Sequence, residues 1–282
     1  MLPLSGKTEG DLHLRAQITS GSRFQICAAA GYNVQTDQQM NATYAIGDIH
    51  GALKALKQLI ARIAPDSTDT LIFLGDYVDG WSESAEVISY LMELEQYCRC
   101  IFIKGNHDAW CESWLHGIMP EPSWQRNGGM ATLASFNKLS AAQRLHHTAF
   151  FERMLLYYVD EQYRLFVHAG FTSTHGPVFE RFEAMLYWDR SLWELALAVD
   201  PHLSKESIFY PKRLLQFHEI YIGHTPCLNY GEDKPMIAGN VHNVDTGAAF
   251  TGKISAMNID TKEVWQSDQV WGLYPDEKGR NA

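Results

Sequence analysis

Three short apolar runs, Tyr44-Ala45-Ile46, Leu71-Ile72-Phe73-Leu74 and Ile101-Phe102-Ile103, mark the first part of the chain, and each leads into a glycine turn. Runs of this kind predict strands of a parallel sheet covered on both faces. Residues 52–63 carry apolar side chains at helical spacing, closed by Pro65 and the polar run 66–69. Residues 82–97 predict a second helix with Val87, Ile88, Leu91 and Leu94 facing inward. The opening is therefore β-α-β-α-β, and the fold class is α/β. Residues 110–153 read as mostly helical, broken at Pro120-Glu121-Pro122 and Asn127-Gly128-Gly129. This helical insertion is expected to cap a crevice, with Trp114 and Trp124 packed in a core. Strand character returns at 155–159, 164–167 and 220–222, with a helical stretch at 181–199. Residues 241–244 and 253–259 flank Asp245-Thr246-Gly247 and predict a hairpin.

Totals narrow the function. A chain of 282 residues, 46% hydrophobic and 20% charged, suits a globular domain. No repeat or linker divides it, so one domain is expected over residues 40–282, with 1–39 a poorly ordered N-terminal extension. A net charge of −10 opposes general nucleic-acid binding, which needs a basic face. No apolar run approaches the ~20 residues of a membrane span. The five cysteines, odd in number and without framework spacing, predict free thiols in a reducing, cytoplasmic compartment.

The chemistry lies where the strands end. In such sheets the loops beyond the carboxyl ends of the strands gather into one crevice. Asp48, His50, Asp76, Asn106, His168 and His224, six candidate ligands, all sit where an apolar run gives way to a turn. Carboxylates, imidazoles and an amide oxygen suit Mn²⁺, Fe or Zn²⁺, and the lack of thiolates opposes a structural zinc. Asp76, on the middle strand of the opening unit, is the natural bridge between two ions. Paired ions create hydroxide near neutral pH and clamp the oxygens of an in-line displacement at phosphorus. His107, beside Asn106, is free to protonate the leaving group. A carboxylate on its other ring nitrogen would hold the tautomer and favour the imidazolium, and both Asp79 and Asp108 are candidates.

Gly47-Asp48-Ile49-His50-Gly51, Gly75-Asp76-Tyr77-Val78-Asp79 and Gly105-Asn106-His107-Asp108 resemble the three opening motifs of the phosphoprotein phosphatase family of calcineurin-like metallophosphoesterases. His168-Ala169-Gly170 and Gly223-His224-Thr225-Pro226 resemble its two later histidine motifs, all in order across residues 44–259. Asn127-Gly128-Gly129 and Asp245-Thr246-Gly247 resemble features of the bacterial and phage branch. The resemblance implies a four-layer αββα sandwich with mixed sheets around a dinuclear centre. It assigns Asp48, His50 and Asp76 to one ion, and Asp76, Asn106, His168 and His224 to the other. It pairs His107 with Asp79 and implies Mn²⁺ as the activating ion, with Fe or Zn as alternatives.

One departure stands out. The family's second motif continues with an arginine that grips the substrate phosphate, whereas here Asp79 is followed by Gly80-Trp81. Arg190 and Arg126 are the candidate phosphate-binding replacements. The resulting expectation is hydrolysis of phosphomonoesters, foremost phosphoserine and phosphothreonine in proteins, by attack of a metal-bridging hydroxide with His107 as general acid. The alternative is a symmetric diadenosine tetraphosphatase or related nucleotide phosphohydrolase, and a remoter one is a non-catalytic binding module. The partner is a phosphorylated protein or small phosphoester rather than nucleic acid or membrane.

Overall fold

The computed structural model describes residues 41–281. The expectations for residues 1–39 and a boundary at Met40 lie outside these residues. Thr43–Ile46 (β1), Thr70–Phe73 (β2) and Arg99–Phe102 (β3) are the opening strands, joined through Leu53–Ile63 (α1) and Ser84–Leu94 (α2). β1, β2 and β3 run parallel. Ser255–Asn258 (β9) and Val264–Gln266 (β10) add antiparallel strands, giving the order β10-β9-β1-β2-β3. The second sheet holds Tyr157–Val159 (β4), Leu165–Val167 (β5), Ile220–Ile222 (β6), Met236–Ala238 (β7) and Val241–Asn243 (β8). Its order is β4-β5-β6-β8-β7, parallel at its centre and antiparallel at both edges.

Side chains alternate along these strands, and the alternation builds the layers. Tyr44, Ile46, Leu71, Phe73 and Phe102 point toward α1 and α2, whereas Ala45, Ile72 and Ile101 meet Phe166 and Tyr221 of the second sheet. Leu165, Val167, Ile220 and Ile222 turn the other way, toward Leu192 and Trp193 of Ser191–Ala198 (α8). Helices, sheet, sheet and helices thus form the four-layer sandwich. The faces of α1 and α2 that read apolar are the faces that are buried. Each fully buried leucine or isoleucine contributes about 1.5–3 kcal/mol of transfer free energy.

Residues 106–152 supply Asn106–Leu115 (α3), Pro122–Trp124 (α4), Met130–Phe136 (α5) and Ala141–Glu152 (α6). Trp124, Phe136, Phe150 and Phe151 join the core on the helical side of the first sheet. The predicted hairpin around Asp245 is not formed, because β8 belongs to the second sheet and β9 to the first. The chain crosses between sheets there, with Val244 in the apolar layer that the sheets share. The helix expected over 181–199 is two shorter ones, Met185–Trp188 (α7) and α8, interrupted where Asp189 accepts the N–H groups of Ser191 and Leu192. After β10 comes a last short helix, Val270–Leu273 (α9).

Two histidines outside the crevice are buried without charge partners adequate to ionise them. His147 on α6 contacts Ser89 Oγ at 3.0 Å, and burial lowers its pKa to about 4. His242 on β8 stacks on Tyr221, and burial likewise lowers it to about 4 despite Glu219. Both folded-state values lie below the ordinary one, so the unfolded chain takes up these protons first. Their contribution is fully present above about pH 6.5 and is lost as pH falls toward 4. The urea midpoint is expected to fall between pH 7 and pH 5, and less steeply in His147→Phe. Parallel slopes for the two proteins would remove His147 from the account.

Candidate metal centre

Asp48 and His50 follow β1, Asp76 follows β2 and Asn106 follows β3, while His168 and His224 follow β5 and β6. The geometry of these turns is demanding. His50, Asp76, Asp79 and His224 all adopt positive φ, between 54° and 73°. For residues other than glycine this region is sparsely populated, and such strain gathers at functional sites. Glycine is required at Gly105 because a Cβ would lie 2.1 Å from Asp76 Oδ1, and at Gly223 because one would lie 2.2 Å from Asp48 Oδ1. These close approaches let a loop after the first sheet pack on Asp76 and a loop after the second pack on Asp48.

All six predicted ligands are buried and brought together. His50 Nε2 lies 3.6 Å from Asp48 Oδ2 and 3.7 Å from Asp76 Oδ2. His168 Nε2 lies 3.3 Å from Asp76 Oδ2 and 3.2 Å from Asn106 Oδ1. Asp76, His168 and His224 can each turn a ligand atom into a group within 4.8 Å, and so can His50, Asp76 and His107. Asp76 belongs to both groups. Asp48 also accepts the His224 N–H at 3.2 Å.

Hydrogen bonding at the far side of each imidazole decides what faces the centre. His50 Nδ1 donates to the Asp79 carbonyl at 3.0 Å, and His168 Nδ1 to the Leu74 carbonyl at 2.7 Å. In the neutral rings Nε2 is then a lone pair, the arrangement that orients a metal ligand. Around His168 three acceptors, Nε2, Asn106 Oδ1 and Asp76 Oδ2, converge with no donor between them unless a proton or a cation is supplied. His224 Nε2 is buried and has no hydrogen-bond partner.

The electrostatics have the same cause. Burial, opposed by His168 and reinforced by Asp76, lifts the Asp48 carboxyl to about 7. Burial with Asp76 nearby lifts Asp108 to about 8, and burial with Asp48 nearby lifts Asp245 to about 8. Burial alone would lower His168, but Asp76 and Asp48 hold it up to about 10. Buried acids in such number need compensating positive charge. Hard oxygens and imidazoles in this arrangement fit divalent ions, and His50, Asp76 and His107, and Asp76, His168 and His224, are groups that could hold one.

His107 stands at the start of α3 beside this group. Its Nδ1 donates to Asp79 Oδ2 at 2.6 Å. The same carboxylate accepts Trp124 Nε1–H at 2.6 Å and Thr132 Oγ1–H at 2.6 Å, so Asp79 is fixed by three donors. Asp108, the other carboxylate open to His107 on sequence grounds, instead accepts the backbone N–H groups of Asp76, Tyr77 and Gly105. It ties the second and third turns together. Burial lowers the His107 pKa against the pull of Asp76 and Asp79. Burial thus opposes the imidazolium that the carboxylate by itself favours.

Beside the ligands is a cavity of about 150 Å³ whose lining includes Asn106, His107, Trp110, Trp188, Arg190 and Arg280. Arg190 Nη1 is held by Thr225 Oγ1 at 3.1 Å. Arg126 is exposed and does not line this cavity. Trp124, Thr132 and Arg280 escaped the sequence reading: the first reads as core, the second as an ordinary helix residue, and the third lies 201 positions beyond Asp79.

Comparison with known proteins places these features in context. The calcineurin-like phosphoesterase family model matches residues 43–228, more than half the chain. A symmetrical bis(5′-nucleosyl)-tetraphosphatase from Coxiella burnetii is 28% identical over 281 aligned residues, covering 80% of this chain and 92% of that protein. The crystal structure of a putative diadenosine tetraphosphatase superposes with a TM-score of 0.57 at 16% identity, over 81% of this chain and 94% of the other. A serine/threonine protein phosphatase from Saccharomyces cerevisiae gives a TM-score of 0.57 at 16% identity, over 86% of this chain and 84% of the other.

Proposed function

The chain belongs to the calcineurin-like phosphoesterases, and we propose that it hydrolyses phosphomonoesters with His107 as general acid, foremost phosphoserine and phosphothreonine in proteins. The observation that carries this reading is the His107–Asp79 pair at 2.6 Å, set directly against a buried cluster of metal-ligand side chains. Bound at that cluster, divalent ions would neutralise phosphoryl oxygens and make water a stronger nucleophile. Asp48, His50, Asp76, Asn106, His168 and His224 are the residues proposed to hold them. Manganese is the proposed ion, by the motif resemblance.

The chain's own part is positioning and proton transfer. The cavity of about 150 Å³ is large enough to admit a phosphoryl group. Arg190, anchored on Thr225, presents a guanidinium to that group. Asp79, held by Trp124 and Thr132, keeps a proton on His107 Nδ1 and directs Nε2 toward the leaving oxygen. A phosphate dianion entering the cavity adds the negative charge that lifts His107 back toward the imidazolium needed in an acid.

A second substrate class has its own support. Relatives covered over most of their length are named symmetrical bis(5′-nucleosyl)-tetraphosphatases, and the Trp110–Trp188 pair at the cavity offers an aromatic surface for a base. Turnover of a phosphothreonine peptide and of diadenosine tetraphosphate by the same metal-loaded sample separates the two. We expect the larger kcat/KM for the peptide; a hundredfold preference for the dinucleotide would reverse the order. Arg190→Ala is expected to raise KM about tenfold or more, the worth of one charged hydrogen-bond pair, and Arg126→Ala much less. Equal responses would remove Arg190 from phosphate binding.

A further inference from the structure

At Gly80, where the motif resemblance calls for a phosphate-gripping arginine, the backbone has φ +115°. A Cβ built there would lie 3.4 Å from Arg280 Cγ and 3.4 Å from the His50 carbonyl. The alkyl chain of Arg280 therefore runs across the face of Gly80, and the same residue lines the cavity with Asn106, His107 and Arg190. An arginine distant in sequence thus passes beside the position where a side chain is missing.

The residues after Gly80 hold the segment that brings it. Trp81 is fully buried, donates Nε1–H to the Ala248 carbonyl at 2.7 Å and stacks on Tyr274 at 5.2 Å. Gly279 lies flat on the same indole: a Cβ there would come 2.6 Å from Trp81 Cζ2. Ser82 donates both its N–H, at 3.0 Å, and its hydroxyl, at 2.6 Å, to the Glu277 carboxylate. Glu83 accepts a hydrogen bond from the Tyr274 hydroxyl. Arg280 N–H then bonds the Ala249 carbonyl at 2.9 Å. The stretch 81–83 thus works as a receptor for residues 274–280.

The guanidinium is left with capacity to spare. Nη2 donates to Asn127 Oδ1 at 3.2 Å, and Cζ lies 5.3 Å over the Phe250 ring. Nε is buried without a partner. Among the described residues no carboxylate forms an ion pair with it. A guanidinium beside an anion-sized cavity, unpaired with an acid, has its charge available to a ligand.

We infer that Arg280 grips the substrate phosphoryl group in place of the side chain missing at Gly80, and that Trp81, Ser82 and Glu277 position it. The inference rests on the phosphoesterase reading. It makes the Gly80-Trp81 sequence and the 274–280 segment two halves of one device: glycine leaves the space, tryptophan docks the segment, and the segment delivers the cation.

The test uses the full metal-loaded chain and its Arg280→Ala and Arg280→Lys variants. Steady-state hydrolysis of p-nitrophenyl phosphate is measured alongside calorimetric binding of inorganic phosphate and metal content. Arg280→Ala is expected to raise both KM and the phosphate Kd about tenfold or more, with metal content and melting temperature unchanged. Millimolar guanidinium should restore part of the lost affinity in this variant and none in the parent. Arg280→Lys should fall between, because a point charge replaces the fork. Glu277→Gln should weaken phosphate binding severalfold without touching the phosphate. A phosphate Kd within twofold of the parent in Arg280→Ala overturns the inference, as does a loss that tracks loss of metal. A folded, metal-loaded parent without turnover sinks the phosphoesterase reading instead, and is told apart by its own assay.

Discussion

Replacing His107 by asparagine is expected to lower kcat by about 10²–10⁴-fold, the usual worth of a positioned general acid, while metal content stays as in the parent. The two readouts matter together because His107 can be grouped with His50 and Asp76 as a potential ligand set. Its Nδ1 is committed to Asp79, so only Nε2 remains, and that atom cannot both hold an ion and donate a proton. Loss of one ion in His107→Asn would make the residue a ligand and end its role as acid. The size of the effect should follow the leaving group. An alkoxide from phosphoserine or phosphothreonine needs a proton, whereas p-nitrophenolate leaves readily without one. The loss is therefore expected to be larger on a phosphopeptide than on p-nitrophenyl phosphate. Equal losses would mean that His107 acts on binding rather than on proton transfer. Thr132→Val, which removes one of the three donors to Asp79, should reproduce a fraction of the same leaving-group dependence.

The parts of this site that were legible in the sequence share a physical origin. Asp48, Asp76 and Asn106 each follow a strand with apolar side chains on both faces, so run, glycine and candidate ligand lie in one short window. Local pattern carries that much because parallel strands between helices must read this way. What escaped depends on contacts between distant positions. Trp124 reads as core, and is core, yet its Nε1–H also fixes Asp79. Residues 241–259 contain two strands and a turn, which locally is a hairpin, but Val241–Asn243 pairs with Ile220–Ile222 and Ser255–Asn258 with Thr43–Ile46. Strands of three or four residues carry too little pattern to name their sheet. Arg280 lay furthest from view, since its contact with Gly80 is set by the docking of a segment on Trp81. The missing arginine was visible as a gap in a motif, but the residue beside that gap was not.

The second large effect concerns the carboxylate shared by both ligand groups. Asp76→Asn is expected to abolish activity through loss of metal, with stoichiometry falling from two ions to one or none by elemental analysis. An asparagine keeps the size of the side chain but brings one acceptor oxygen and no charge. Asp76 Oδ2 faces His50 on one side and His168 on the other, while Oδ1 accepts the His107 N–H at 2.9 Å, so each oxygen is already engaged. Stability should also respond when metal is removed. In the metal-free parent, Asp76 lies among Asp48, Asp108 and Asp245, and its charge helps raise the pKa of all three. Removing that charge relieves like-charge repulsion in a buried site. The same charge, however, holds the buried His168 up to about 10, and the imidazoles around Asp76 keep its own carboxyl well below the usual carboxylate range. The loss of those pairs outweighs the relief, so metal-free Asp76→Asn should melt lower than metal-free parent. Adding Mn²⁺ at about a hundred times its Kd should stabilise the parent by about 2.7 kcal/mol for one site, about 5–10 °C in Tm for a domain of this size. The variant should gain little of that rise. A variant that binds two ions and rises in Tm like the parent would show that the ions are held without Asp76, and the two ligand groups would then have to be redrawn as separate sites.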